Sequence, residues 1–145
     1  MQTKLLHEAH GLRTYVLVMA EGDEAMACLR GFAREAGLSA ASFKAIGAFS
    51  HAQLAFFDWD TKTYRPIPVD EQVEVASLTG DIAVDSDGNP AVHVHAVLGR
   101  HDGSCVAGHL DSGLVRPTLE VILTEAPAHL RKRHDPVTGL QLIAP

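Results

Sequence analysis

The chain has 145 residues, 46% of them hydrophobic and 21% charged, with a formal net charge of −6. That length suits one domain able to bury about two thirds of its unfolded surface, and the composition excludes a disordered polymer. No run reaches the roughly 18 apolar residues that a membrane helix needs, and the negative balance, with scattered Lys and Arg, argues against direct nucleic-acid binding, which rests on neutralised phosphates.

Residues 1–8 reach an acid before any apolar signal region develops, so a cytoplasmic location is expected. Leu12–Ala20 reads as a strand around Tyr15-Val16-Leu17-Val18 and stops at Glu21-Gly22. Asp23 is expected to cap a helix that runs to Ala36. Its Ala25, Cys28, Leu29, Phe32, Ala33 and Ala36 recur at three- and four-residue spacing. Gly37 takes the position just past the helix end. Gly31, inside it, costs about 1 kcal/mol against alanine and suggests close packing on a sheet.

Two β-like runs follow, 42–49 and 53–57, separated near Ser50-His51. The turn 58–62 leads to 64–69, which two prolines confine to a sheet edge or an extended loop. Residues 73–78 alternate as a strand, 82–84 continue it, and the cluster Asp85 to Pro90 ends it. Residues 91–98 form a further strand. A short connection over 100–104 predicts that 105–110 return antiparallel beside it. Residues 118–123 are another strand, 128–134 a short helix, and 137–143 a final edge strand. Arg131-Lys132-Arg133-His134 reads as a solvated run. One helix on many strands is an α+β arrangement with a mainly antiparallel sheet, and the whole chain, 1–145, is expected to be a single domain.

The informative motif is Val92-His93-Val94-His95, followed by Ala107-Gly108-His109-Leu110. Strand side chains alternate faces, so His93 and His95 share one side while Val92, Val94, Ala96 and Leu98 fill the other. His109 joins them from the returning strand. Most histidines ligate nothing, and a His-x-His pair is a weak signal by itself; a third imidazole in the neighbouring strand strengthens it. Three converging imidazoles build a metal site with one open position, and zinc is the usual occupant. Cys105 precedes His109 by an even offset and so falls on the same face, although three histidines already suffice. Cys28 and Cys105 are too few and too isolated for a disulfide framework.

These stations, in order, resemble the PPC domain, the plant-and-prokaryote conserved domain found beside AT-hooks in plant nuclear proteins. They are Glu21-Gly22-Asp23, Phe32-Ala33 with Gly37-Leu38, Ile46-Gly47-Ala48, Glu74-Val75 with Leu78-Thr79-Gly80-Asp81-Ile82, the His93-x-His95 strand, Gly108-His109-Leu110, and Thr118-Leu119-Glu120-Val121. The resemblance implies a domain with one principal helix on the sheet, assembled as a homotrimer. It also implies a divalent metal, zinc foremost, on histidines matching His93, His95 and His109. The family often carries two glycines before the third histidine; here the first is Ala107. The family's DNA-binding label stems largely from the AT-hooks of its plant members. This chain lacks an Arg-Gly-Arg-Pro core to enter a minor groove, which favours an oligomerising, metal- or ligand-holding module.

Zinc on three neutral histidines lowers the pKa of its water toward about 7, so a hydrolase or lyase is the main rival reading. Such an enzyme would also need a proton shuttle and an oxyanion stabiliser. Sequence candidates are Glu120, Arg116, Asp111 and His101. Each has a plainer role: Glu120 orienting a ligand histidine, Asp111 and His101 in solvated turns, Arg116 pairing with a neighbouring subunit's acid. Whether the protein is an enzyme stays open at this level. A cupin barrel fits poorly, because Gly99 and Arg100 stand where a ligand carboxylate would be and the 23–36 helix is out of place. The third reading is a DNA-associated regulator acting with a partner, and a small-molecule ligand stands as the remaining partner.

Overall fold

Residues that read as breaks in the sequence are absorbed as bends within long strands. The computed structural model describes residues 1–144, and among them runs β1 (Gln2–Ala9), β2 (Leu12–Ala20), α1 (Ala25–Glu35), β3 (Ala40–Asp58), β4 (Thr63–Val69), β5 (Val73–Val84), β6 (Pro90–Gly99), β7 (Cys105–Glu125), β8 (Arg131–His134) and β9 (Gln141–Ala144). Every ladder is antiparallel except one parallel bridge, Val84 to Arg131. The mainly antiparallel α+β expectation therefore holds.

The runs expected as separate strands at 42–49 and 53–57 are one 19-residue strand, β3. Its register against β7 shifts between Gly47 and Phe49, between Phe49 and His51, and between Gln53 and Leu54, so the Ser50-His51 break is a bulged bend rather than a turn. β7 likewise joins 105–110 to 118–123 in one 21-residue strand. Gly47 permits the closest approach of the two: its φ is +152°, and an added Cβ would lie 2.8 Å from Leu119 Cα.

Bending lets the sheet close. β3 pairs with both β5 and β7, and β6 also pairs with both, making a four-stranded circuit. Leu54, Leu78, Val94, Leu98, Leu110 and Leu119 are fully buried in its core. β2 and β1 extend the sheet beyond β7, β4 pairs with β3 alone, and β8 with β9 forms a ribbon joined to β5. The proline-bearing β4 is thus the expected edge strand. β1 was not expected. Its residues are nearly all exposed, so no buried face marks the sequence with a period.

α1 buries Ala25, Met26, Leu29, Phe32 and Ala33 and packs on β6 and β7. Its cap is Glu24 rather than Asp23: the longer side chain accepts from Met26 N at 3.0 Å and from Ala27 N at 2.7 Å. Asp23 instead closes the preceding turn, accepting from Ala20 N at 2.9 Å. Gly37 ends the helix at φ +63° as expected, but Gly31 faces open space, so sheet packing does not explain it. The expected helix over 128–134 is absent. Backbone hydrogen bonds from Leu130 N to Ser39 O and from Val84 N to Leu130 O pin the chain in an extended path, and β8 pairs with β9. That change matters for Lys132, which lies buried instead of solvated.

Candidate metal centre

β6 carries its apolar residues inward and its histidines outward. Val94, Ala96 and Leu98 are buried, while His93 and His95 project from the other face of the strand. In register, His95 stands opposite His109 on β7, and His93 opposite Asp81 on β5. The His93–His95, His93–His109 and His95–His109 ring centroids lie 5.0, 5.3 and 5.7 Å apart. One nitrogen from each ring falls within 4.8 Å of the others. Two glycines allow this spacing. A Cβ on Gly80 would overlap His93 O and the Phe43 ring, and one on Gly108 would lie 2.7 Å from Ala55 O. Ala107 is exposed on the hairpin's outer side.

Asp81 links the cluster to a buried cation. Its Oδ2 lies 3.3 Å from His93 Nδ1, and its Oδ1 lies 3.1 Å from Lys132 Nζ, whose side chain is 5% exposed. The lysine contact is an ion pair without hydrogen-bond alignment, so among the described residues Asp81 Oδ1 is left without a hydrogen-bond partner. His109 Nδ1 is also buried and, among the described residues, unpartnered. Its Nε2 lies 3.7 Å from Asp111 Oδ1, too far for a hydrogen bond. An unsatisfied buried nitrogen of this kind costs about 1–3 kcal/mol.

Burial is the largest influence holding His95 below the ordinary histidine pKa, followed by its neighbour His93, against a raising pull from Asp81. Burial also lowers His109, helped by His93, His95 and Lys132 and opposed by Asp111. Both effects favour the neutral imidazole, which is the form that binds metal. Neutral nitrogen donors, three of them convergent and one lacking any partner, fit a borderline-soft divalent cation.

A cavity of about 580 Å³ opens over the cluster. Phe57 and Tyr64 wall one side, Leu142 and Ile143 of β9 line the other, and the three histidines, Asp81 and Lys132 complete the lining. The Tyr64 ring centroid is 5.0 Å from that of His109 and 5.3 Å from that of Phe57. Burial pushes the Tyr64 hydroxyl pKa up, with Asp111 adding to it.

The other sequence candidates are dispersed. Asp111 stands beside His109. Glu120 lies outside the histidine cavity, opposite Val18 on β2 and Ile46 on β3. Arg116 pairs with Glu21 of its own chain, Nε to Oε1 at 2.9 Å, rather than needing a neighbour's acid. His101 sits in the exposed 100–104 turn, and Cys105 is exposed and outside the three-residue group. Asp81, Lys132, Tyr64 and Phe57 were not singled out from the sequence. Asp81 is legible only once β5 is set in register beside β6, and nothing local marks Lys132.

Residues 6–127 match the family model of the Plants and Prokaryotes Conserved (PCC) domain. The fold is similar to several solved structures. One is a candidate DNA-binding protein from Bacteroides thetaiotaomicron, with 27% identity and a TM-score of 0.88 over 98% of this chain and 96% of that one. A metal-containing protein from Archaeoglobus fulgidus has 30% identity and a TM-score of 0.83 over 91% and 93%. A plant- and prokaryote-conserved (PPC) protein from Pyrococcus horikoshii has 28% identity and a TM-score of 0.84 over 99% and 95%. Comparison with curated proteins gave no match.

Proposed function

Because the chain belongs to the Plants and Prokaryotes Conserved domain family, which its match over residues 6–127 establishes, we propose that it is a homotrimeric module holding one divalent metal, zinc foremost, on His93, His95 and His109. The observation that carries this reading is the convergence of one nitrogen from each imidazole within 4.8 Å, with His109 Nδ1 buried and, among the described residues, lacking a partner. The metal-containing relative from Archaeoglobus fulgidus supports it.

Bound zinc supplies Lewis acidity and lowers the pKa of a coordinated water. The chain's own residues do the rest. Asp81 accepts from His93 Nδ1, fixing the tautomer that leaves Nε2 free as a ligand. Phe57 and Tyr64 give one side of the cavity an aromatic wall. That open cavity beside the histidines supports a small-molecule ligand, and with it the rival reading of a zinc-dependent hydrolase or lyase.

Contact between subunits has its own support, though not their number. Val18, Ile46 and Ile122 project around Glu120 from one face of β2, β3 and β7 and are 36%, 64% and 39% exposed, a surface that subunit contact would cover. DNA contact is a property named for relatives. With a net charge of −6, this chain would act on DNA only through a partner.

The test is zinc content per subunit after purification without a polyhistidine tag, for wild type and His109→Ala, with mass measured by light scattering. About one zinc per chain in the wild type, lost in the variant, is expected of a three-histidine site. No zinc in either protein, even after zinc is offered, removes the proposal. Loss of turnover on a hydrolysable ester panel in His93→Ala, His95→Ala and His109→Ala would favour the enzyme. Metal binding without turnover favours the ligand-holding module.

A further inference from the structure

We propose that Lys132 anchors a carboxylate in the histidine cavity, and that the ligand is a small monocarboxylate with an aromatic or branched apolar body; this rests on the metal reading above. Lys132 is an anomaly on its strand. Its neighbours Arg131 and Arg133 are exposed, as charged residues on a short ribbon should be, whereas its own side chain is 5% exposed and lines the cavity. Lysine is almost never fully buried unless paired. Here the pairing is partial. One Asp81 oxygen lies 3.1 Å away without hydrogen-bond alignment, and that same carboxylate is shared with His93. An ammonium has three donors, and among the described residues no hydrogen bond uses any of them. Stability alone does not call for an ion pair here, since replacing both partners of a buried pair by apolar residues is often neutral or better. The feature makes sense as a group that binds something entering the cavity.

Charge decides the sign of that ligand. The three imidazoles are neutral in their metal-binding form, and Asp81 offsets Lys132. Asp111 stands at the rim, its side chain 46% exposed. A divalent cation therefore leaves this half-open site with a net positive charge, Asp111 included. An anion relieves it. The surroundings favour carboxylate over phosphate. Among the described residues the cavity lining contains no arginine fork and no helix N-terminus, the usual devices for a phosphate dianion. One half-offset lysine suits a monoanion. Phe57, Tyr64 and Leu142 then pack the apolar body, and about 580 Å³ holds a ring with a short substituent.

Benzoate is the probe, with benzamide as its uncharged isostere and phenyl phosphate as the dianion. Each is titrated calorimetrically into zinc-loaded wild type, Lys132→Met and Lys132→Arg, with zinc content measured on the same samples. The wild type is expected to bind benzoate about ten-fold or more tighter than either analogue, and Lys132→Met to lose about ten-fold or more with its zinc unchanged. Lys132→Arg is expected to recover most of that loss. Unaltered benzoate affinity in a zinc-retaining Lys132→Met protein overturns the proposal. So does equal binding of benzamide or phenyl phosphate, or no benzoate binding up to about 10 mM. If Lys132→Met does not fold, the wild type decides by the side-chain ammonium resonance of Lys132: a shift on adding benzoate supports the anchor, and an unmoved signal overturns it. Should the wild type take no zinc, the metal reading fails in the metal analysis itself. The same titrations on zinc-free protein then judge Lys132 separately, with Lys132-dependent benzoate binding supporting the anchor and its absence overturning it.

Discussion

His95 on β6 and His109 on β7 are direct register partners, with ring centroids 5.7 Å apart and planes at 86°. Their meeting is a property of the hairpin, not of either strand. A slip of one residue would turn His109 into the barrel interior and bring Leu110 outward. The fully buried Val94, Leu98 and Leu110 therefore hold the ligand geometry in place while sitting on the opposite face from it.

Asp81 faces two partners, and removing its charge should be felt at both. Asp81→Asn is expected to weaken zinc binding about 10- to 100-fold through the lost support of His93. It should also lower stability by about 2 kcal/mol, because Lys132 keeps its charge without a counterion while Asp81 itself is partly exposed. Competition with a chromogenic chelator and urea unfolding of the zinc-free protein measure the two effects. Wild-type values in both would mean that Asp81 is a bystander.

The zinc-free protein should lose stability as pH falls through the histidine range. His95 and His109 have folded pKa values below the ordinary histidine value of 6.5, mainly through burial. The unfolded chain thus takes up protons first. Their stabilising contribution is fully present above that ordinary value and disappears as pH drops through the lower folded values. Urea midpoints at a series of pH values, starting at about 8 and falling through the ordinary histidine value and below it, follow that loss. His95→Gln/His109→Gln should flatten the slope, and an equally steep slope in that variant would place its origin elsewhere.

Gly80 leaves room for β6. An added methyl group would overlap both His93 O and the Phe43 ring. Gly80→Ala is expected to cost about 3 kcal/mol as an overpacked core site and to reduce zinc occupancy by displacing His93. Denaturant unfolding and zinc analysis of one preparation test both. A stable variant with full zinc would show that the strands separate without consequence.

Glu24 caps α1 and also accepts from Gly113 N at 3.1 Å, tying the helix start to β7. Glu24→Ala should lower stability by about 2 kcal/mol, the upper part of the usual cost of a lost cap, because a third amide loses its partner as well. Zinc stoichiometry should not change, since the cap is remote from the histidines. Thermal unfolding and metal content separate the two outcomes. An unaltered melting temperature would contradict the role given to this carboxylate.

What could be read from the chain was what local spacing encodes. The apolar stripe of α1 repeats every three or four residues, and His93 with His95 obeys the strand period. A short connection over 100–104 made an antiparallel return the simplest path, which was enough to place His109 beside them. The order of such stations also carried the family resemblance, since it depends on sequence alone. By contrast, the lengths of β3 and β7 were hidden, because Ser50-His51 looks like a break, and the residues between 110 and 118 carry no strand pattern, until partner strands hold both segments in register. Lys132 and Asp81 are further apart still. Lys132 lies in a basic run that by charge belongs in water, and only the docking of the β8–β9 ribbon on β5 carries its ammonium to Asp81 and the cavity. Sequence periodicity determines which face a side chain takes on its own strand. Which faces then meet is decided by long-range strand pairing, whose energy is gained only when distant segments close together.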